Sequence, residues 1–192
     1  PPSTTPLQSS AASDVYKRQL LGSAEPMHLV GHGISGTIAC LFAEKYPYLV
    51  KSLTLLSVDT LSSNHWSSHY LDMRSQLPSS RQAILSHLSS LLFSDNNSRA
   101  VEVFPCLLAK CLDTEFIQGS IVNQHYISNL NVPKEVPTFV LNGECDFVID
   151  ANSRDRWSKT LKSGDRFVCM KKGRHFFQFD QSQHVALSLI HI

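Results

Sequence analysis

No stretch of the 192-residue sequence approaches the roughly 18 consecutive apolar residues of a membrane-spanning helix. Charge is scarce and evenly divided, 17 Lys+Arg against 16 Asp+Glu for a net of +1. That excludes the strongly basic face with which a nucleic-acid binder meets phosphates. Cysteine is sparse, odd in number and scattered: Cys40, Cys106, Cys111, Cys145 and Cys169, with no C-x-x-C pair. A disulfide framework and a zinc ribbon both lose support, and a reducing compartment follows, cytoplasm or plastid alike. No internal repeat is present. What the sequence does have is 42% apolar residues, enough for the core of one globular domain and too little chain for two.

The order of apolar residues separates strands from helices. Met27–Val30 is a short apolar run closed by Gly31, which reads as a strand entering a tight turn. From Ser35 the period becomes helical: Ile34, Ile38, Leu41 and Phe42 share a face, with Glu44 and Lys45 opposite. Pro47 ends that helix. The run 53–58 (LTLLSV) is apolar on both faces, as in a buried parallel strand. Strand, helix, strand is a βαβ unit. Residues 60–135 lose strand character. Ile84, Leu88, Leu91 and Leu92 predict a helix that starts after Pro78 and a serine pair. Val101, Phe104, Leu107 and Leu108 predict a second, disturbed by Pro105, and Phe116, Ile121, Tyr126 and Ile127 a third. The α/β rhythm returns with strands at 138–141 and 166–170. Between them lies a helix over 151–163, with Asp150 as its expected N-cap.

Three motifs then occur in a telling order. MHLVGHGISGTIACLFAEKYP resembles the nucleophile elbow of the α/β-hydrolase superfamily, G-x-S-x-G at a strand-to-helix turn. VPTFVLNGECDFVID resembles the strand that ends in the acidic triad member, at Asp146. KKGRHFF resembles the loop that carries the histidine, here His175. The resemblance covers about residues 22–185 and implies a partial α/β-hydrolase fold. Its four-stranded, mostly parallel sheet would have crossover helices, and 60–135 would be a helical cap. It also implies hydrolysis of ester, amide, epoxide or carbon–carbon bonds, a small-molecule substrate or ligand under the cap, and neither cofactor nor metal.

The match departs from the family pattern at the residue that matters most. Where the nucleophilic serine belongs stands Gly33, which has nothing to attack a carbonyl with. Ser35 lies two residues on, about 200° further round a helix of 3.6 residues per turn. Its simpler reading is a helix-start residue. The family also places four strands ahead of the elbow strand, and a loop among them supplies part of the oxyanion hole. The resemblance therefore implies the C-terminal part of a longer protein, with the elbow strand at a sheet edge. Covalent serine catalysis is expected to be absent from this chain. Two alternatives stay open: a binding module that keeps the pocket, and a His175–Asp146 enzyme acting on water or a substrate proton.

Other signals have plainer explanations. His65 and His69 are spaced to share a helix face and could hold a metal, but no third ligand accompanies them. His32 reads as structural. Cys145 could pair with His175 as a thiol nucleophile, although an acid loop is the wrong place for one. Lys171, Lys172 and Arg174 read as a solvated basic loop, and Phe176, Phe177 and Phe179 as packing around His175. At the ends, residues 1–19 and 187–192 resemble translated adapter sequence. A transit peptide or a disordered tail is the alternative for the first. The expected division is a tail at 1–19, the domain at 20–186 and a second tail at 187–192.

Overall fold

The computed structural model describes residues 25–61, 65–94, 98–113 and 129–189. Four strands, β1 (Met27–His32), β2 (Val50–Leu56), β3 (Thr138–Gly143) and β4 (Arg166–Met170), form one parallel sheet in the order β1-β2-β3-β4. All four expected strands are present. β2 and β3 are the central pair and are buried almost throughout, whereas β1 and β4 lie at the edges of the described sheet and are only partly buried. The continuous apolar run of β2 thus has the cause inferred from it: both faces are covered.

Helices cover the two faces. Against one, α1 (Ile34–Lys45) places Cys40 and Ala43, and α5 (Ser153–Thr160) places Trp157, on Leu53, Leu55 and Val140. On the other, α6 (Phe177–Asp180) and α7 (Ser182–Leu189) bring Phe177 and Val185 onto Leu56, Phe139, Leu141 and Met170. The strand period of two sends successive residues to opposite layers. Leu189 packs against this second layer, so α7 crosses the tail boundary expected at 187. Residues 1–19 lie outside the described residues.

Between β2 and β3 come α2 (Trp66–Gln76), α3 (Arg81–Leu92) and α4 (Ser98–Asp113). Ser80 caps α3, its side chain accepting from the Ala83 N–H. Ile84, Leu85, Leu88 and Leu92 form the buried face of α3 and pack with Tyr70 and Leu108. α4 runs unbroken through Pro105, where a disturbance was expected. Its packing through Val101, Phe104 and Leu108 outweighs the one backbone hydrogen bond a proline removes. The third helix expected near 116–127 falls outside the described residues. Asp150 is not the N-cap of α5. That place is taken by Asn152, and Asp150 instead accepts from the Asn152 N–H at 2.6 Å, closing the turn before the helix.

Candidate active site

The sheet register delivers the site. His32 pairs with Leu56, Leu56 with Leu141, and Gly143 with Met170, so the loops after all four strands leave from one sheet end. The ladder continues one step further, with the Gly33 N–H on Leu56 O and the Ser57 N–H on Leu141 O. Ligand sites of open parallel sheets lie at this carboxyl end.

The chain turns from β1 into α1 at a single residue. Gly33 has φ 53° and ψ −125°, a conformation that costs an L-residue of order 1–3 kcal/mol. Two other glycines make the turn this tight. A Cβ on Gly31 would lie 2.5 Å from Gly36 Cα, and one on Gly36 would lie 2.4 Å from Val58 Cγ2. At Gly33 there is room: the one described atom within 4 Å of a Cβ built there is His175 Nε2, at 3.7 Å.

His175 sits in the loop after β4 and Asp146 in the loop after β3. His175 Nδ1 lies 3.1 and 3.0 Å from the two Asp146 carboxylate oxygens. A carboxylate only accepts, so Nδ1 donates to Asp146, and Nε2 faces the Gly33 side. Both residues are buried. Burial works against the Asp146 carboxylate. The adjoining His175, the Val148 N–H at 2.9 Å and the Ser57 hydroxyl more than offset it and hold this carboxyl below its usual range.

Sequence reasoning missed Ser57. It follows β2 in the left-handed region at φ 49°, and its hydroxyl donates to His175 O at 2.7 Å while also meeting Asp146. Its only sequence signal is a serine at the end of a buried apolar strand, which looks like the strand itself. Next to it, Asn142 grips both backbone groups of Val58, donating to its carbonyl and accepting from its N–H. Trp157 Nε1 donates to the same carbonyl, and Arg156 binds the buried Asp59 carboxylate through Nε and Nη2. These bonds fix the loop that presents Ser57.

His32 is structural, as expected. Its Nε2 donates to His175 O at 2.9 Å and its ring stacks on Phe176. Burial, then repulsion from His175, push its pKa down to about 4. Ser35 is exposed on the first turn of α1, and no hydrogen bond joins it to His175 or Asp146. Cys145 is exposed, and its backbone N–H binds Gly173 O. His65 caps α2 by accepting from the Ser68 N–H, and His69 donates to Val148 O at 3.2 Å. Among the described residues no three His, Cys, Asp or Glu side chains gather as a metal site, and no helix is long and apolar enough to cross a membrane. The basic cluster divides. Lys171 and Lys172 are exposed, but Arg174 donates to Ser90 O and Phe93 O, which corrects its reading as part of a solvated loop. Phe177 is core, Phe179 is largely exposed, and Phe176 links His32 to Phe93.

Known proteins agree with this geometry at the level of fold. The uncharacterized protein sll0249 of Synechocystis sp. (strain ATCC 27184 / PCC 6803 / Kazusa) is 32% identical over 176 residues, 92% of this chain and 69% of that one. The 2-hydroxy-6-oxo-6-phenylhexa-2,4-dienoate hydrolase of Rhodococcus sp. strain RHA1 superposes with a TM-score of 0.68 at 15% identity. The meta-cleavage product hydrolase CumD of Pseudomonas fluorescens IP01 superposes with 0.61 at 17% identity. The chain is an α/β-hydrolase-fold protein and belongs to the family of sll0249. No family model matches it. Both solved hydrolases cover 87% of this α/β-hydrolase-fold chain, which spans 63% and 64% of their lengths.

Proposed function

We propose that this α/β-hydrolase-fold protein binds a small molecule beside Gly33 and uses His175, oriented by Asp146, as a base without a covalent nucleophile. The observation that carries the reading is the free Nε2 of His175 at 3.7 Å from the side-chain position of a residue that has no side chain. In a serine hydrolase a hydroxyl stands there and becomes acylated. With glycine, the group facing Nε2 is supplied by water or by the substrate. For an ester, His175 takes a proton from water as its oxygen bonds to the acyl carbon, and returns that proton to the departing alkoxide. Acid and alcohol leave, and no acyl-enzyme forms. A second reading, a module that binds and does not turn over, is favoured by the depth of His175, which is 2% exposed.

The test is a fluorophosphonate probe together with p-nitrophenyl acetate. The expected result is no phosphonylation and no stoichiometric burst, with whatever hydrolysis occurs lost in His175→Ala. Hydrolysis indifferent to His175→Ala leaves the binding module as the better reading. Stoichiometric phosphonylation of the unmodified chain, abolished by Ser35→Ala, would make Ser35 the nucleophile and overturn the proposal.

A further inference from the structure

The helical segment between β2 and β3 meets the histidine loop at the end of α3. An α-helix ends with carbonyls that have no partner within the helix. At the C-terminus of α3 two of these, on Ser90 and Leu92, and the carbonyl of the C-cap Phe93 are taken up by the histidine loop. Arg174 Nη1 donates to Ser90 O at 2.5 Å and to Phe93 O at 2.7 Å, and the Phe176 N–H donates to Leu92 O at 3.1 Å. The two residues on either side of His175 therefore both terminate α3. The Arg174 charge also stands at the negative end of the helix dipole, where a cation is favoured. Phe176 is stacked between His32 and Phe93, with Phe104 of α4 edge-on to it. From the sheet side, His175 O is held by His32 and Ser57. Backbone bonds thus fix the loop on both sides, and the α3 end supplies the half that the sheet does not.

We propose that Arg174 is a positioning residue: by terminating α3 it holds the His175 ring in register with Asp146. The inference rests on the reading of His175–Asp146 as the working pair, and not on the chemistry assigned to Gly33. A phosphonate result that sinks the proposed function would appear in a different measurement from the one below.

Arg81 provides the control. It begins the same helix and clamps α3 to α4 in a similar way, through Nη2 to Ala109 O at 2.9 Å and to Asp113 at 2.7 Å, but it touches neither His175 nor its neighbours. In the intact chain, Arg174→Gln, Arg174→Lys and Arg81→Gln are compared by thermal melting and by NMR of the His175 Nδ1–H, assigned by its loss in Asp146→Asn. The expected result is that Arg174→Gln speeds exchange of that proton with water by roughly tenfold or more, the equivalent of one lost charge-assisted hydrogen bond. Arg174→Lys should fall between Arg174→Gln and the unmodified chain, because it keeps the charge and loses the fork. Arg81→Gln should leave the exchange rate unchanged even where it lowers the melting temperature. If Arg174→Gln melts lower and leaves the exchange rate of the unmodified chain, Arg174 only stabilises the fold. Equal acceleration in Arg81→Gln overturns the inference as well. Should Arg174→Gln not fold, Arg174→Lys alone decides: no acceleration relative to Arg81→Gln refutes positioning.

Discussion

Substituting Gly33 separates backbone strain from catalytic chemistry at one position. At φ 53° and ψ −125° an alanine carries a conformational cost of about 1–3 kcal/mol. No contact adds to it, since the nearest described atom to the new Cβ is at 3.7 Å. Loss of glycine's freedom in the unfolded chain returns about 0.4–1 kcal/mol. Gly33→Ala should therefore destabilise by about 0–2.6 kcal/mol, a fall in Tm of up to roughly 10 °C for a domain of this size. Gly31→Ala should be worse although it needs no unusual dihedral, because its Cβ would meet Gly36 Cα, Gly36 N and Ser35 O at 2.5–2.7 Å, all backbone. Thermal or urea melts of both variants measure this. A stabilising Gly33→Ala, or a Gly31→Ala milder than Gly33→Ala, would refute the turn geometry on which the site rests.

Gly33→Ser adds the chemical half. A hydroxyl on that Cβ comes within hydrogen-bond reach of His175 Nε2, so the variant should be phosphonylated, and His175→Ala should abolish the label. Turnover is a separate matter. A missing oxyanion donor costs about 2.7–4 kcal/mol, a factor of roughly a hundred to a thousand in rate. Labelling, and not esterase turnover, is therefore the readout for position 33. Absence of any label in a folded Gly33→Ser chain would mean that Nε2 is not presented to position 33.

His32, neutral when folded with a pKa of about 4 against 6.5 unfolded, binds its proton more readily in the unfolded chain. Its contribution of up to about 3 kcal/mol is complete above pH 6.5 and is lost as pH falls towards 4. Melts across that window should show the fall, His32→Gln should flatten it, and an NMR pKa of 6 or above for His32 would refute it. Asp146, with its carboxyl held below the usual range, loses its contribution only at still lower pH. Arg156→Ala leaves the fully buried Asp59 carboxylate without its guanidinium and should cost about 3–5 kcal/mol by urea denaturation, with Asp59→Asn added recovering part of the loss. Zinc should not raise the Tm through His65 and His69, whose nitrogens serve as a helix cap and as a donor to Val148 O; a shift abolished by His69→Ala would contradict that assignment.

The fold was legible because its signals are local. The apolar run at 53–58, the change of period at Ser35 and the apolar run closed by Gly31 can each be read within a few residues of sequence. Asp146 and His175 were legible by their place in motifs at strand ends. The supporting shell was not. Ser57, Asn142 and Arg174 act through backbone carbonyls 81 to 118 residues away, and no spacing encodes such partners. Asp150 misled for a related reason: an aspartate two residues before an N-cap can close the preceding turn instead, and the choice depends on which N–H it reaches.

Two costs at this site run in opposite directions. Glycine at position 33 removes the strain of a side chain in a left-handed turn, which a covalent nucleophile would otherwise impose, and the turn survives because Gly31 and Gly36 set it. The His175–Asp146 pair adds a cost, since two ionisable groups are buried and a full set of partners is spent on them: Val148, Ser57, His32 and, through the loop, α3. A pair that served only to join two loops would need no ring nitrogen facing an unfilled side-chain position. A neutral hydrogen-bonded pair of similar volume joins loops without the desolvation cost. Under the proposed function that cost has a use: something with a proton to give comes to rest beside Gly33.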